Sequence, residues 1–108
     1  MKRSIAAAVL LCAFTGCGDS PGEAACDTFV AEFVDKAADE CMLGTRREIE
    51  DSLFLGFRMV GIDSCSDVDR VRDERAFYDE CIPFIQTTTC AELTTLPAAC
   101  MNQLIIER

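Results

Sequence analysis

Eight cysteines, at positions 12, 17, 26, 41, 65, 81, 90 and 100, are the residues with the most chemistry to offer in a chain of 108 residues that has neither histidine nor tryptophan. Thiol–disulfide catalysis favours two cysteines two residues apart, one thiolate being activated by its surroundings and the other resolving the mixed disulfide. Beyond Cys17 the closest pair is Cys81 and Cys90, so that chemistry is not expected. Zinc needs cysteines at ligand spacing, with histidines to complete many of its sites, and neither is present. The acidic run DSCSDVDRVRDE, residues 63 to 74, invites a calcium reading through Asp63, Asp67, Asp69, Asp73 and Glu74. It lacks the glycine of an EF-hand turn, and Arg70, Arg72 and Arg75 interleave with or follow the acids, which reads as a solvated, internally paired face. No catalytic residue, metal or cofactor is expected, and the remaining use of the thiols is cross-linking.

Cross-links must be held by secondary structure, and the pattern here is helical. Cys26, Phe29, Val30, Phe33, Val34, Ala37 and Cys41 recur at three-and-four spacing on one stripe, with Asp27, Glu32, Asp35, Lys36 and Asp39 opposite. Glu32 and Lys36 form an i,i+4 pair in the favourable order. Gly44 is expected to end this helix, and Thr45 with Glu48 makes a capping box for the next. Ile49, Leu53, Phe57 and Val60 share a face of that second segment, although Leu53, Leu55, Phe57 and Met59 also alternate as a strand would; the cap and length favour a helix ending at Gly61. A third helix, capped by Ser66 and Asp69, is expected to run through Val68, Val71, Phe77, Cys81 and Phe84 with a break at Pro83, which has no N–H for the Asp79 carbonyl. A short last helix is expected from Pro97 through Cys100, Met101, Leu104 and Ile105. Phe29, Phe33, Phe54, Phe57, Phe77 and Phe84 fall on these stripes as core, with Phe54 on a flank where it is the most open to a partner.

The amino terminus has a different character. Lys2 and Arg3 precede the apolar stretch IAAAVLLCAF, too short for the roughly 20 residues of a membrane-spanning helix, and so it reads as a secretory signal. The segment Phe14-Thr15-Gly16-Cys17 that closes it resembles the lipobox of bacterial lipoproteins, with Phe14 where leucine is usual. That resemblance implies a diacylglyceryl thioether on Cys17, cleavage before it, and membrane attachment through the lipid. Residues 1–16 are then a signal peptide, 17–22 a lipidated tether, and 23–108 a cysteine-rich helical domain. In related lipoproteins, an Asp directly after the lipidated cysteine marks retention at the inner membrane; Gly18 takes that place here, which points to the outer membrane.

Parity agrees with the resemblance. Cys12 leaves with the signal and Cys17 takes the lipid, so six cysteines remain for three bridges in an oxidising compartment. A straight helix separates Cys26 from Cys41 by about 22 Å, far beyond the roughly 4.4–6.8 Å between α-carbons that a bridge tolerates. Antiparallel helices would instead bring Cys65 to Cys26 and Cys81 to Cys41, leaving Cys90 to close on Cys100. The expected fold is all-α, a small disulfide-stabilised bundle of three to four helices.

Charge narrows the partners. The net charge is −9, and loss of Lys2 and Arg3 makes it two units more negative, a surface that repels nucleic acid and anionic lipid. The expected role is a non-catalytic, lipid-anchored envelope protein that binds an envelope partner or is structural. The alternative is a small ligand-binding or inhibitor domain presenting a loop such as Gly61-Ile62-Asp63 or Thr87-Thr88-Thr89.

Overall fold

The computed structural model describes residues 20–107; Cys12 and Cys17, with the expected signal and most of the expected tether, lie outside them. Helix α1, Pro21–Val34, begins where the Oγ of Ser20 accepts the N–H of Glu23 at 3.0 Å, with Pro21 opening the first turn. It buries Gly22, Ala25, Cys26, Phe29 and Val34. Ser20 and Gly22 are therefore part of the domain, which starts three residues before the expected boundary at residue 23. A wider π turn, Asp35–Glu40, prolongs α1. The N–H of Cys41 bonds to the carbonyl of Lys36 and that of Leu43 to Ala37, and Met42 between them adopts a left-handed φ of 53°. This is the glycine-type helix stop made by a methionine, so Gly44 is not the terminator.

Helix α2, Arg46–Arg58, carries the capping box in full: the Oγ1 of Thr45 accepts from the Glu48 N–H at 3.1 Å, and the Glu48 Oε1 accepts from the Thr45 N–H at 2.9 Å. Arg46 bridges Asp35 at 2.8 Å and Asp39 at 2.7 Å at one end. Phe57 meets the ring of Phe29 at 6.3 Å toward the other, which fixes α2 antiparallel to α1. None of its residues is fully buried, and Ile49, Leu53, Phe54 and Phe57 rest half-covered on the core. The helix-or-strand ambiguity of residues 49–60 resolves as helix, and the chain turns at Gly61, whose φ is 93°.

The next segment departs from expectation. Cys65–Asp67 is a single 3-10 turn and Arg70–Val71 is a short strand, β1, so residues 68–73 are not helical. The Oδ2 of Asp67 accepts from the N–H of both Asp63 and Ser64, and this local bonding competes with a helix start. Helix α3 starts later, with the Oδ1 of Asp73 accepting the Ala76 N–H at 3.1 Å. It runs as Glu74–Ala76, a π turn over Phe77–Cys81, and Ile82–Thr87. In the π turn the Ile82 N–H reaches back to the Phe77 carbonyl, and the wider turn passes into regular α-helix at Pro83, which has no N–H to donate.

Two more 3-10 turns, Cys90–Glu92 and Ala98–Cys100, lead to strand β2, Leu104–Ile105, antiparallel to β1 with Arg70 opposite Ile105 and Val71 opposite Leu104. The last helix expected from Pro97 through Ile105 is thus replaced by one turn and a strand. Among the described residues the fold remains a mostly helical, disulfide-stabilised small domain of three helices.

The bridges join Cys26 to Cys65, Cys41 to Cys90 and Cys81 to Cys100, with Cα separations of 5.4, 5.6 and 4.9 Å. The expected Cys41–Cys81 and Cys90–Cys100 bridges are corrected. They assumed that a third helix runs straight from residue 66, whereas the extended β1 segment lets α3 enter from elsewhere. The turn after Thr87 then carries Cys90, not Cys81, to the end of the first helix, and the chain leading to β2 carries Cys100 past Cys81.

Two apolar clusters form the interior. Ala25, Phe29, Ala37, Val71, Phe77, Cys81, Ile82, Ile85 and Leu93 make the larger, and Cys26, Ile62, Cys65 and Val68 the smaller; Phe57 and Leu104 pack against both. Lys36 is buried with them, its Nζ donating to Glu40 at 3.1 Å and to the Gln86 carbonyl at 3.3 Å. Its partner is Glu40 rather than Glu32, because Glu40 lies where Nζ emerges beside the end of α3.

Candidate functional site: an apolar cleft beside strand β2

The pairing of β1 with β2 places the carboxyl-terminal segment across the end of the α1–α2 pair without filling the space beneath it. A cleft of about 480 Å³ results. Phe29 of α1, Phe57 at the end of α2 and Phe77 of α3 form its aromatic wall, with Val60 and Ile62 from the turn after α2 beside them. The facing wall is residues 102–106, and it includes Leu104 and Ile106. The size and apolar lining are those of a small-molecule or side-chain pocket.

One of the two amide side chains lining the cleft is already engaged. Gln103, buried, donates from Nε2 to the Ala99 carbonyl at 2.8 Å, and its Oε1 accepts the Asp73 N–H at 2.9 Å. Cys100 is in its disulfide. No side chain lining the cleft is ionisable, so what it offers an incoming group is contact with hydrocarbon and aromatic rings, together with the amide of Asn102. It also offers a strand edge: the carbonyls of Gln103 and Ile105 bond across to Arg72 and Asp69, and alternation then turns the peptide groups of Leu104 away from β1.

A second cleft of about 290 Å³ lies between α1 and α2, lined by Asp27, Val30, Ala31, Val34, Arg46, Glu50, Phe54 and Cys65. Its cation is committed, since the hydrogen bond to Asp35, followed by the charge of Asp39, raises the pKa of Arg46 above its ordinary value. Phe54 is not splayed out for a partner; it stacks edge-on against Phe57 at 5.2 Å and half-buries itself on the smaller cluster.

In each of the two loops considered for presentation to a target, the central residue is buried while its neighbours are exposed. Ile62 is turned into the core between Gly61 and Asp63. Thr88 is buried, and Thr89 caps the following turn by accepting the Glu92 N–H. Among the described residues no group of three or more acidic or cysteine side chains could hold a metal ion, and no helix is long and apolar enough to cross a membrane. Sequence reasoning missed the cleft because one wall comes from residues between Phe29 and Phe77 and the other from residues 102–106, brought together by a two-residue ladder with no periodic signal. The run Leu104-Ile105-Ile106 near the chain's end was the available hint. Comparison with protein-family models, with curated proteins and with solved structures finds no match to this chain.

Proposed function

We propose that this chain is a lipid-anchored protein of the bacterial cell envelope, attached through a diacylglyceryl thioether on Cys17, at the outer membrane. Its domain acts there as a non-catalytic interaction or structural module. The observation that carries the reading is the complete pairing of Cys26, Cys41, Cys65, Cys81, Cys90 and Cys100, with no free thiol among the described residues. Three disulfides in so small a domain fit an exported protein, and they leave Cys17 to the lipid rather than to a bridge. The test is the intact mass of the protein extracted from envelopes in detergent. A chain beginning at Cys17 with acyl mass added supports the reading, and a free amine further along defeats it.

The cleft favours a second reading, a small ligand-binding domain. An apolar ligand that fills about 480 Å³ between Phe29, Phe57 and Ile106 would raise the unfolding temperature in a saturable way, and Phe57→Ala would weaken its binding. If a library of apolar ligands and short apolar peptides leaves the unfolding temperature unmoved, the cleft is structural and the first reading stands alone.

A further inference from the structure

Three features of the fold meet at one end of the molecule. The chain enters α1 there, fixed by the Ser20 hydroxyl donating to the Val68 carbonyl at 2.9 Å and by the Gly22 N–H reaching the Asp69 carbonyl at 3.3 Å. Helix α2 ends there, since its opposite end is tied by Arg46 to Asp35 and Asp39, while Cys65, just beyond it, is bridged to Cys26 near the start of α1. Bare apolar surface lies there too: Leu55, Met59 and Val60 are 61%, 84% and 69% exposed. Leu55 and Met59, four residues apart, share one face of α2, and Val60 carries that face into the wall of the large cleft.

We propose that this end of the domain rests on the lipid bilayer, with Leu55, Met59 and Val60 set among the headgroups. The proposal builds on the lipoprotein reading of Cys17. Under that reading the length of chain outside the domain selects the lipid surface as the occupant. Only Gly18 and Asp19 separate Cys17 from Ser20, so an anchored thioether holds the start of α1 within roughly 10 Å of the interface. The expected six-residue tether is too short to stand the domain off, because Ser20, Pro21 and Gly22 are taken into the fold. An exposed apolar face at the tethered end is thereby delivered to the headgroup layer, the depth at which interfacial helices lie. Arg58, in the last turn of α2 beside Met59, is exposed and can reach lipid phosphate along its stem. Asp63, Asp67 and Asp69 nearby oppose an anionic surface, so zwitterionic lipid is the surface that fits.

The absence of tryptophan makes the test direct. Lipidated full-length Met59→Trp and Leu43→Trp proteins are each reconstituted into phosphatidylcholine vesicles containing tail-brominated lipid. Leu43 is also exposed, but it precedes α2 at the far end, about 20 Å away along a helix of this length. The expected result is at least about a two-fold loss of emission for Met59→Trp, strongest with bromine near the headgroup end of the tail as interfacial depth requires, and little change for Leu43→Trp. Equal quenching of both, or of neither, overturns the proposal. A concentration-dependent blue shift of Met59→Trp without vesicles, which would mean a second copy covers the face, also overturns it, as does shielding by a co-purifying envelope protein. Intact mass on the same samples separates the failures. Acyl mass with an unquenched Met59→Trp defeats this inference alone, and an acyl-free chain defeats the lipoprotein reading with it.

Discussion

The same substitution in two helices should have opposite signs. Gly22 sits in the first turn of α1, and a Cβ added to it would lie 2.3 Å from the Arg70 nitrogen, 2.5 Å from the Asp69 carbonyl carbon and 2.8 Å from that of Val68. All three are backbone atoms of the segment entering β1, so no side chain can swing aside. Gly22→Ala must push α1 off that segment, stretching the Gly22 to Asp69 bond and the Ser20 to Val68 bond together. Overpacking of this kind costs about 1–3 kcal/mol, and alanine's helix propensity returns at most about 1 kcal/mol. A net loss of about 1–2 kcal/mol lowers the unfolding temperature of a domain this size by about 5–15 °C. Gly56, exposed in the middle of α2, has nothing within 4 Å of its added Cβ. Gly56→Ala therefore gains about 0.5–1 kcal/mol of helix propensity, a rise of about 3–6 °C. Thermal unfolding by circular dichroism under non-reducing conditions reads both. The close approach of α1 to β1 would be refuted if Gly22→Ala proved as stable as the parent or more so, because propensity alone would then govern both sites.

Removing the Cys81–Cys100 bridge by a double serine substitution opens a loop with a sequence separation of 19, and the loop-entropy relation gives a loss of about 3 kcal/mol, measurable by urea unfolding. The same treatment of Cys41–Cys90, with a separation of 49, should cost about 4 kcal/mol and leave Cys26–Cys65 intact in non-reducing peptide maps. Thr45→Ala removes the hydroxyl half of the α2 capping box and should cost about 1 kcal/mol, with serine restoring most of it in the same unfolding assay. Tyr78, the single tyrosine, has its pKa raised by burial and then by the charge of Glu74. Its ultraviolet titration should have a midpoint above the ordinary phenol value. The neutral phenol is favoured by folding, so its contribution to stability is whole below the unfolded-chain pKa of about 10 and is lost as pH rises through the folded value. A midpoint at or below the value in unfolded chain would contradict this.

The sequence carried the features that are local. The stripe from Cys26 to Ala37, the Thr45–Glu48 box and the stop at Gly61 each depend on residues within a turn or two of one another, and each is present. What was illegible depends on distant chain. The two strands are two residues each and have no period to read; they exist because residues 69–72 and 103–105 meet. Without a signal for β1, the sequence places the start of α3 too early, and the expected Cys41–Cys81 and Cys90–Cys100 pairings depend on that start. The π turns hide for another reason. Lys36 and Ala37, adjacent in sequence, are both buried, which an ideal helix with a narrow apolar stripe would not arrange. Met42 in the left-handed region likewise takes the place that composition assigned to Gly44. The cleft combines these difficulties, since one wall belongs to α1, α2 and α3 and the other to a strand no local pattern announces.

The three bridges interlock in order along the chain, for Cys41 lies within the span from Cys26 to Cys65, and Cys81 lies within the span from Cys41 to Cys90. Every peptide bond between Cys26 and Cys100 is consequently straddled by at least one bridge. A protease that cuts once anywhere in that interval adds a water but frees no fragment until a reductant arrives. Had Cys90 closed on Cys100 with Cys41 on Cys81, a nick between Cys81 and Cys90 would have shed the last stretch of chain. A protein exposed to proteases can in this way be scarred without being dismantled.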